Sequence, residues 1–371
     1  MSSFKLSSLV PVIAALLIGC GGEEGTDYSN VTDPMPDADG GTSGGTNSSL
    51  PPLGDGVGTL AGASEGGAVD GARSVARFYN PVNVVVGPGG NLYVADYDNS
   101  LIRVVSPTGE VRTLIRQQGF NRPFGLVFTP DGRLYAETDS NDLGARNYEA
   151  GTLWRIEPEG RAILLLRNLG RPRGMAALPD NRIVLSDPEH HVLRVYDPAM
   201  NRITDLAGAR DRPGYVDAAG LAARFNRPYD VVFSGGRVLV ADQENHRLRA
   251  VTLDGMVTTF AGAGTAGTDD GQRMSARFNR PQALALDILG NVFVTDFGSY
   301  RVRRIAPDGA VTTIAGAGRA GYADNADPMM AQFFGMEGMD VSPDGRNLYI
   351  TDGNRGGMEA YHRVRRFHFV R

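Results

Sequence analysis

From Val238 to Val251 the chain reads VLVADQENHRLRAV: an apolar run, Val238 to Val240, closes on Ala241 and Asp242, a polar stretch follows, and Leu248 to Val251 resume an extended pattern. That is a strand, a loop and a strand. The unit recurs as YVADYDNSLIRVV from Tyr93, IVLSDPEHHVLRVY from Ile183 and VFVTDFGSYRVRRI from Val292, each with an Asp and an Arg seven residues apart. Two more copies are stretched, with Asp139 to Arg155 nine residues longer and Asp352 to Arg365 six longer. The six aspartates Asp96, Asp139, Asp187, Asp242, Asp296 and Asp352 stand 43, 48, 55, 54 and 56 residues apart. Each copy has an upstream apolar strand, such as Ala283 to Leu286, and a downstream one, such as Val311 to Ala315, joined by tight turns such as Pro307-Asp308-Gly309. Four strands at that period make one propeller blade, and the lack of helical periodicity argues against helical repeats.

The two ends of the chain predict how the ring closes. Val57-Gly58-Thr59-Leu60-Ala61-Gly62 reads like the fourth strands at Val257 and Val311, yet it precedes any first strand. The last copy ends after its third strand, Val364 to Val370. Residues 57–62 are therefore expected to complete blade six and leave no open edge within the ring. The fold class is all-β, a six-bladed propeller of four-stranded antiparallel blades over residues 57–371.

Residues 1–19 read as a cleaved export leader: Lys5, an apolar run from Leu9 to Ile18 too short to span a bilayer, then small residues. Leu17-Ile18-Gly19-Cys20 resembles a bacterial lipobox, which implies lipidation at Cys20, the chain's one cysteine. Without a second thiol no internal disulfide can form. Residues 20–56 are rich in Gly, Ser, Thr and Asp and read as a flexible tether with a span of roughly 35 Å. The tether holds seven acidic residues and no Lys or Arg, which leaves residues 57–371 with 36 basic and 35 acidic residues against a whole-chain charge of -5. A nearly neutral propeller lacks the basic excess of a nucleic-acid binder. Gly21 after the Cys, in place of the Asp that retains lipoproteins at the inner membrane, implies the outer membrane by resemblance to enterobacterial sorting. The expected protein is exported, monomeric, and in contact with the membrane through its lipid only.

The strand ending in Ala-Asp followed by Asn245-His246-Arg247-Leu248-Arg249 resembles the NHL repeat. So does the linking pattern Ala261-Gly262-Ala263-Gly264, Asp270-Gly271 and Ala276-Arg277-Phe278-Asn279-Arg280-Pro281. Blade two departs most, with Glu137-Thr138-Asp139 and no Asn-His. The resemblance implies a six-bladed propeller and no particular activity, because the fold hosts enzymes and binding modules alike.

Candidate chemistry must come from residues that do not repeat. The six aspartates and Arg103, Arg155, Arg194, Arg249, Arg303 and Arg365 recur in every blade, so they are expected to hold loops. Phe78, Phe225, Phe278 and Phe333 recur as wedges between blades. His191, His246 and His362 share one repeat position; this resembles the zinc site of the peptidyl-hydroxyglycine amidating lyases, but the repeat already accounts for them. There is no Gly-x-Ser-x-Gly elbow and no cysteine in the folded part. Insertions at Asn141 to Gly151 and Arg355 to Tyr361 and the long blade connections all fall on one face, where binding sites concentrate. At the channel mouth on that face the blades differ, and Asn83, Arg173, Tyr229, Asp230, Gln282 and Glu337 are the ligand-binding candidates. No catalytic residue or bound cofactor is assigned. Asn83, Asp230 and Glu337 offer three oxygen donors that suit Ca²⁺, and calcium-dependent lactonases are similar in architecture. The sequence thus reads as an envelope-anchored binding or scaffolding propeller whose loop-rich face meets a protein, glycan or small molecule. The alternative is a Ca- or Zn-dependent hydrolase, lactonase or lyase at the channel mouth.

Overall fold

The computed structural model describes residues 53–369. The leader, Cys20 and the tether up to residue 52 lie outside the described residues. Blade one is β2 (Pro81–Val86), β3 (Leu92–Asp96), β4 (Leu101–Val105) and β5 (Val111–Ile115). Blade two is β6 (Pro123–Phe128), β7 (Leu134–Thr138), β8 (Thr152–Ile156) and β9 (Ala162–Leu166). Blade three is β10 (Met175–Ala177), β11 (Ile183–Asp187), β12 (Val192–Asp197) and β13 (Arg202–Gly208). Blade four is β14 (Pro228–Ser234), β15 (Arg237–Asp242), β16 (Arg247–Thr252) and β17 (Val257–Ala261). Blade five is β19 (Pro281–Leu286), β20 (Val292–Asp296), β21 (Arg301–Ile305) and β22 (Ala310–Ala315), with the two-residue β18 (Gly271–Gln272) added outside β22. Blade six takes β23 (Met339–Val341), β24 (Asn347–Asp352) and β25 (His362–His368) from the C-terminal end and β1 (Gly56–Ala63) from the N-terminal end. β1 and β25 pair antiparallel from Gly56 opposite His368 to Ala63 opposite His362. Each innermost strand packs on the next, and β23 packs back on β2, so the sheets form a ring.

Alternation within the strands places apolar side chains between neighbouring sheets. Phe78, Phe225, Phe278 and Phe333 are fully buried, each in a cluster shared by two adjacent blades. Phe120 and Leu169 are buried on blades two and three, each at the corresponding place before the linking Pro. Turn three needs glycine for two reasons: Gly255 sits at φ +90°, and a Cβ there would come within 2.7 Å of the Leu206 carbonyl oxygen of the preceding blade.

The repeated Asp and Arg form a clasp in four blades. In blade one, Asp96 accepts the Tyr79 amide at 2.7 Å and receives Arg103 at 2.9 Å, while the other end of the Arg103 guanidinium reaches Asp70 of the preceding linker at 2.6 Å. Asp70 in turn accepts the outward amide of Thr113 on the outermost strand at 2.9 Å. Arg249, Arg303 and Arg365 repeat this bridge, joining Asp242 to Asp217, Asp296 to Asp270 and Asp352 to Asp324. Each of the four Arg side chains is fully buried, with its guanidinium 5.1–5.3 Å from the centre of a wedge Phe ring.

Blades two and three break the expected sixfold pattern. In blade two Pro123 pairs with Thr138, where blade one pairs Pro81 with Asp96. Trp154 stands opposite Leu164, where Arg103 stands opposite Thr113. The Asp and Arg slots are thus filled by Thr138 and Trp154, one residue before Asp139 and Arg155. Trp154 donates to Thr152, which contacts Thr138. Arg155 pairs with Glu157 at 2.7 Å on the surface, and Asp139 is released to face elsewhere. In blade three, Asp187 pairs with His190 at 2.7 Å, and Arg194 lies 3.5 Å from Asp205 instead.

Candidate functional site

The residue after each linking Pro, or its equivalent in blade six, stands at or just before the start of an innermost strand. Val82, Phe124 and Tyr229, from blades one, two and four, share one apolar cluster, with the Phe124 and Tyr229 rings edge to face at 6.1 Å. The Arg173 guanidinium lies 4.1 Å from the centre of the Phe124 ring. Side chains from non-neighbouring blades therefore meet at the axis.

Asp139 is the centre of the polar part. It is fully buried, and its two oxygens accept five hydrogen bonds: two from Arg171 at 2.9 and 2.7 Å, two from Arg173 at 2.6 and 3.1 Å, and one from the Tyr97 hydroxyl at 2.5 Å. Arg146, from the blade-two insertion, lies 3.6 Å away with its side chain about half exposed. Burial alone would raise the Asp139 carboxyl; the Arg173 and Arg171 guanidiniums overcome it and hold the group far below the usual carboxylate range. Nearby Glu137 behaves oppositely. Burial pushes it well above its ordinary value, one oxygen accepts the Gly125 amide at 2.8 Å, and the other has no partner.

Glu337 lies within electrostatic reach of Arg173, Arg355, Asp98 and Asp139, and burial pushes it up to about 7 against the two arginines. Arg355, from the blade-six insertion, rests 3.7 Å from the centre of the Phe297 ring and 4.7 Å from that of Phe334. The mouth so built holds four guanidiniums (Arg146, Arg171, Arg173 and Arg355) around Asp139, and beside them Glu189, paired with Arg227 at 2.9 Å, is held below its usual range, against burial, by Arg227, Arg173 and Arg171. With that pair counted, guanidiniums still outnumber the firmly ionised carboxylates.

The sequence candidates divide between two levels. Arg173, Tyr229 and Glu337 belong to the mouth. Gln282 is buried with its side-chain oxygen unpaired. Asn83 and Asp230 lie deeper, along a cavity of about 280 Å³ lined by the innermost strands and shared with Asp340. Asp230 accepts the amides of Val231 and Leu284 at 2.8 Å each, and Asp340 those of Val86 and Val341 at 2.7 and 2.8 Å. Burial, with Asp340 adding to it, pushes Asp230 up to about 7; burial takes Asp340 to about 6. Asn83 and Asp230 line this cavity and Glu337 does not. Among the described residues no three acidic, histidine or cysteine side chains form a metal-binding group.

The three equivalent histidines share one backbone task. The Nδ1 atoms of His191, His246 and His362 accept the amides of Arg227, Arg280 and Asn80 at 3.1, 3.2 and 3.2 Å, each on the linker into the next blade.

Arg146, Arg171, Arg355 and Asp139 were missed as site residues in the sequence. The available signal was the Glu137-Thr138-Asp139 departure, where a residue freed from the clasp turns toward the axis.

A six-bladed propeller with a charged axial mouth on its loop-rich face is the class of protein these features define. The chain belongs to the SMP-30/gluconolactonase/LRE-like family, whose model matches residues 66–269. It is 32% identical over 107 residues to a gluconolactonase of Zymomonas mobilis, covering 26% of this chain and 30% of that one. It is 27% identical over 197 residues to NHL repeat-containing protein 2 of Bos taurus, covering 46% and 27%. The chain spans about a quarter to a third of the length of the first curated relatives it matches. An auxiliary nutrient binding protein from Bacteroides ovatus shares the fold with a TM-score of 0.65 at 19% identity, over 84% of this chain and 76% of that one.

Proposed function

We propose that this protein is a binding propeller of the cell envelope, carried on its acidic tether from a lipidated Cys20 at the outer membrane, and that its axial mouth takes a small organic anion. The observation that supports this reading is the break in the repeat at blade two. Asp139, freed from the clasp, holds Arg171 and Arg173 side by side at the axis, and guanidiniums outnumber the ionised carboxylates there even with the neighbouring Glu189–Arg227 pair counted. A carboxylate on the ligand would meet Arg171 and Arg146 and be oriented by the planar guanidinium fork. The test is calorimetric titration with hydroxy acids, dicarboxylates and sugar acids against neutral glucose. Anions should bind, glucose should not, and Arg171→Ala should weaken the anions about tenfold or more. Equal affinity for glucose would end this reading.

A second reading, a hydrolase or lactonase, is favoured by Asp230 beside Asp340 on the deeper cavity, where a carboxyl pushed up to about 7 has the proton affinity of a general acid or base. The resemblance to a gluconolactonase gives the substrate class to try. Turnover of glucono-δ-lactone that Asp230→Asn abolishes with the fold intact, assayed with EDTA and with Ca²⁺ or Zn²⁺ restored, would replace the binding reading. No turnover under either condition would remove this one.

A further inference from the structure

The loop-rich face carries a second repeat, a belt of paired side chains around the mouth. In blades one, three and four, the residue two places after the strand-ending Asp is acidic, and it meets the Arg that precedes the linking Pro of the next blade. The pairs are Asp98 with Arg122 at 3.9 Å, Glu189 with Arg227 at 2.9 Å and Glu244 with Arg280 at 3.3 Å. Where blade six meets blade one, both positions are Asn, and the Asn354 amide donates to the Asn80 side-chain oxygen at 3.1 Å. Four of the six seams between blades are therefore balanced in charge.

Each of the remaining two carries a cation without a belt acid. Between blades two and three, the acidic position, counted from Thr138, is Ser140. Arg171, before Pro172, instead shares Asp139 with Arg173, and Arg146 stands 3.6 Å from the same carboxylate. Between blades five and six, both belt positions are glycine, Gly298 and Gly335. Here the cation is Arg355 from the insertion, which lies against Phe297 and Phe334, with the Tyr300 ring 5.1 Å from its guanidinium. Aromatic faces offset the charge but satisfy few of the guanidinium N–H donors. Among the described residues, those donors reach only the Tyr300 hydroxyl and the Phe297 carbonyl, both at a long 3.5 Å, and no carboxylate pairs with them. The blades follow one another around the ring, so these two seams, three apart in a ring of six, face each other across the axis. Glu337 is within electrostatic reach of Arg173 on one side and Arg355 on the other, which places both cations at the mouth.

We infer that the ligand of the mouth is a linear dicarboxylate lying across the axis, with one carboxylate on Arg171 and Arg146 and the other on Arg355. This deepens the small-anion reading above and rests on it. A single carboxylate held at Arg171 leaves the Arg355 donors unmet. A second one across the axis gives them the planar acceptor that a guanidinium fork fits. Arg146 and Arg355 come from the two insertions, so the loops that depart from the repeat are the ones that would set the choice of ligand.

The experiment is calorimetric titration of the purified protein at pH 6.5 with the unbranched dicarboxylates from malonate to suberate and, for each, its monomethyl ester. Ester and diacid share a chain and differ by one charge. Diacid affinity should pass through a maximum with chain length, where the span matches the gap between the two seams. At that length the diacid should bind about tenfold or more tighter than its ester, the worth of one charge-assisted pair. Arg355→Gln should shrink that ratio to about threefold or less, and Arg355→Lys, which keeps the charge without the fork, should give an intermediate ratio. The ratio compares two ligands on one protein, so a variant that is less stable but folded at the titration temperature still reports on it. Equal affinity of diacid and ester at every length overturns this inference and leaves the anion reading standing. A ratio unmoved by Arg355→Gln overturns the placing of the second carboxylate. If neither diacids nor esters bind at millimolar concentration, the anion reading fails and this inference with it.

Discussion

Replacing Asp139 by Asn removes one negative charge and almost no volume, so its effect isolates the electrostatics of the mouth. Asp139 is fully buried and accepts two hydrogen bonds from each of Arg171 and Arg173. An amide can accept on one side only and would turn its NH₂ toward a guanidinium. Arg173 is itself buried, so the variant leaves an uncompensated charge in a low-dielectric site, for which the expected cost is about 3–5 kcal/mol. Urea denaturation followed by tryptophan fluorescence is a suitable assay, since Trp154 lies in the apolar cluster that includes Tyr97 and Phe124. The midpoint should fall while the slope stays constant. Adding Arg173→Met should recover part of the loss, because the stranded charge is then removed and the aliphatic stem still covers Phe124. A loss under about 0.5 kcal/mol for Asp139→Asn would refute the claim that this carboxylate organises the axis, because a change of that size is typical of an exposed residue.

Three further outcomes follow from the same contacts. Arg249→Ala should cost about 3–5 kcal/mol, since it strands Asp242 in a buried clasp, whereas Arg155→Ala, with only the surface pair to Glu157 to lose, should cost less than about 1 kcal/mol; comparable losses in chemical denaturation would contradict the register assigned to blade two. Burial, with Arg363 nearby, depresses His362 to about 4, so its neutral form stabilises the fold above its unfolded value near 6.5, and that contribution is lost as pH falls toward 4. His362→Asn keeps an acceptor for the Asn80 amide, so relative to the parent it should gain about 2 kcal/mol between pH 7.5 and pH 5, and a pH-independent difference would remove this assignment. Glu337, pushed up to about 7, becomes more ionised as pH rises through 7, so anion affinity at the mouth should fall between pH 6 and 8, and Glu337→Gln should flatten that profile.

The fold was legible because each blade repeats its own grammar. The glycine of turn three and the Ala-Arg/Gln-Phe wedge, each present in four blades, have a single structural use, and the sixfold recurrence of the strand-ending Asp made the blade count clear. The register of blade two was not legible. Asp139 and Arg155 preserve an Asp-to-Arg order across a long insertion, and only the pairing of Pro123 with Thr138 shows that both are displaced by one residue. That displacement turns an expected clasp residue into the centre of the axial site. A trace of this was present in the linkers: Asp70-Gly71, Asp217-Ala218, Asp270-Gly271 and Asp324-Asn325 precede the four clasped blades, and the short linkers into blades two and three have no such aspartate. Of the mouth, Arg173, Tyr229 and Glu337 could be found by asking where equivalent positions differ. Arg146 and Arg355 could not, because they lie on insertions whose path over the axis is set by tertiary packing.

The most direct measurement is calorimetric titration of the purified protein with the panel of organic acids at pH 6.5, run on the parent and on Arg171→Ala. At least one acid should bind to the parent, and Arg171→Ala, titrated at a temperature where the destabilised variant is still folded, should weaken it about tenfold or more. If no acid binds at millimolar concentration, or if binding does not respond to Arg171→Ala, the axial mouth is not an anion site.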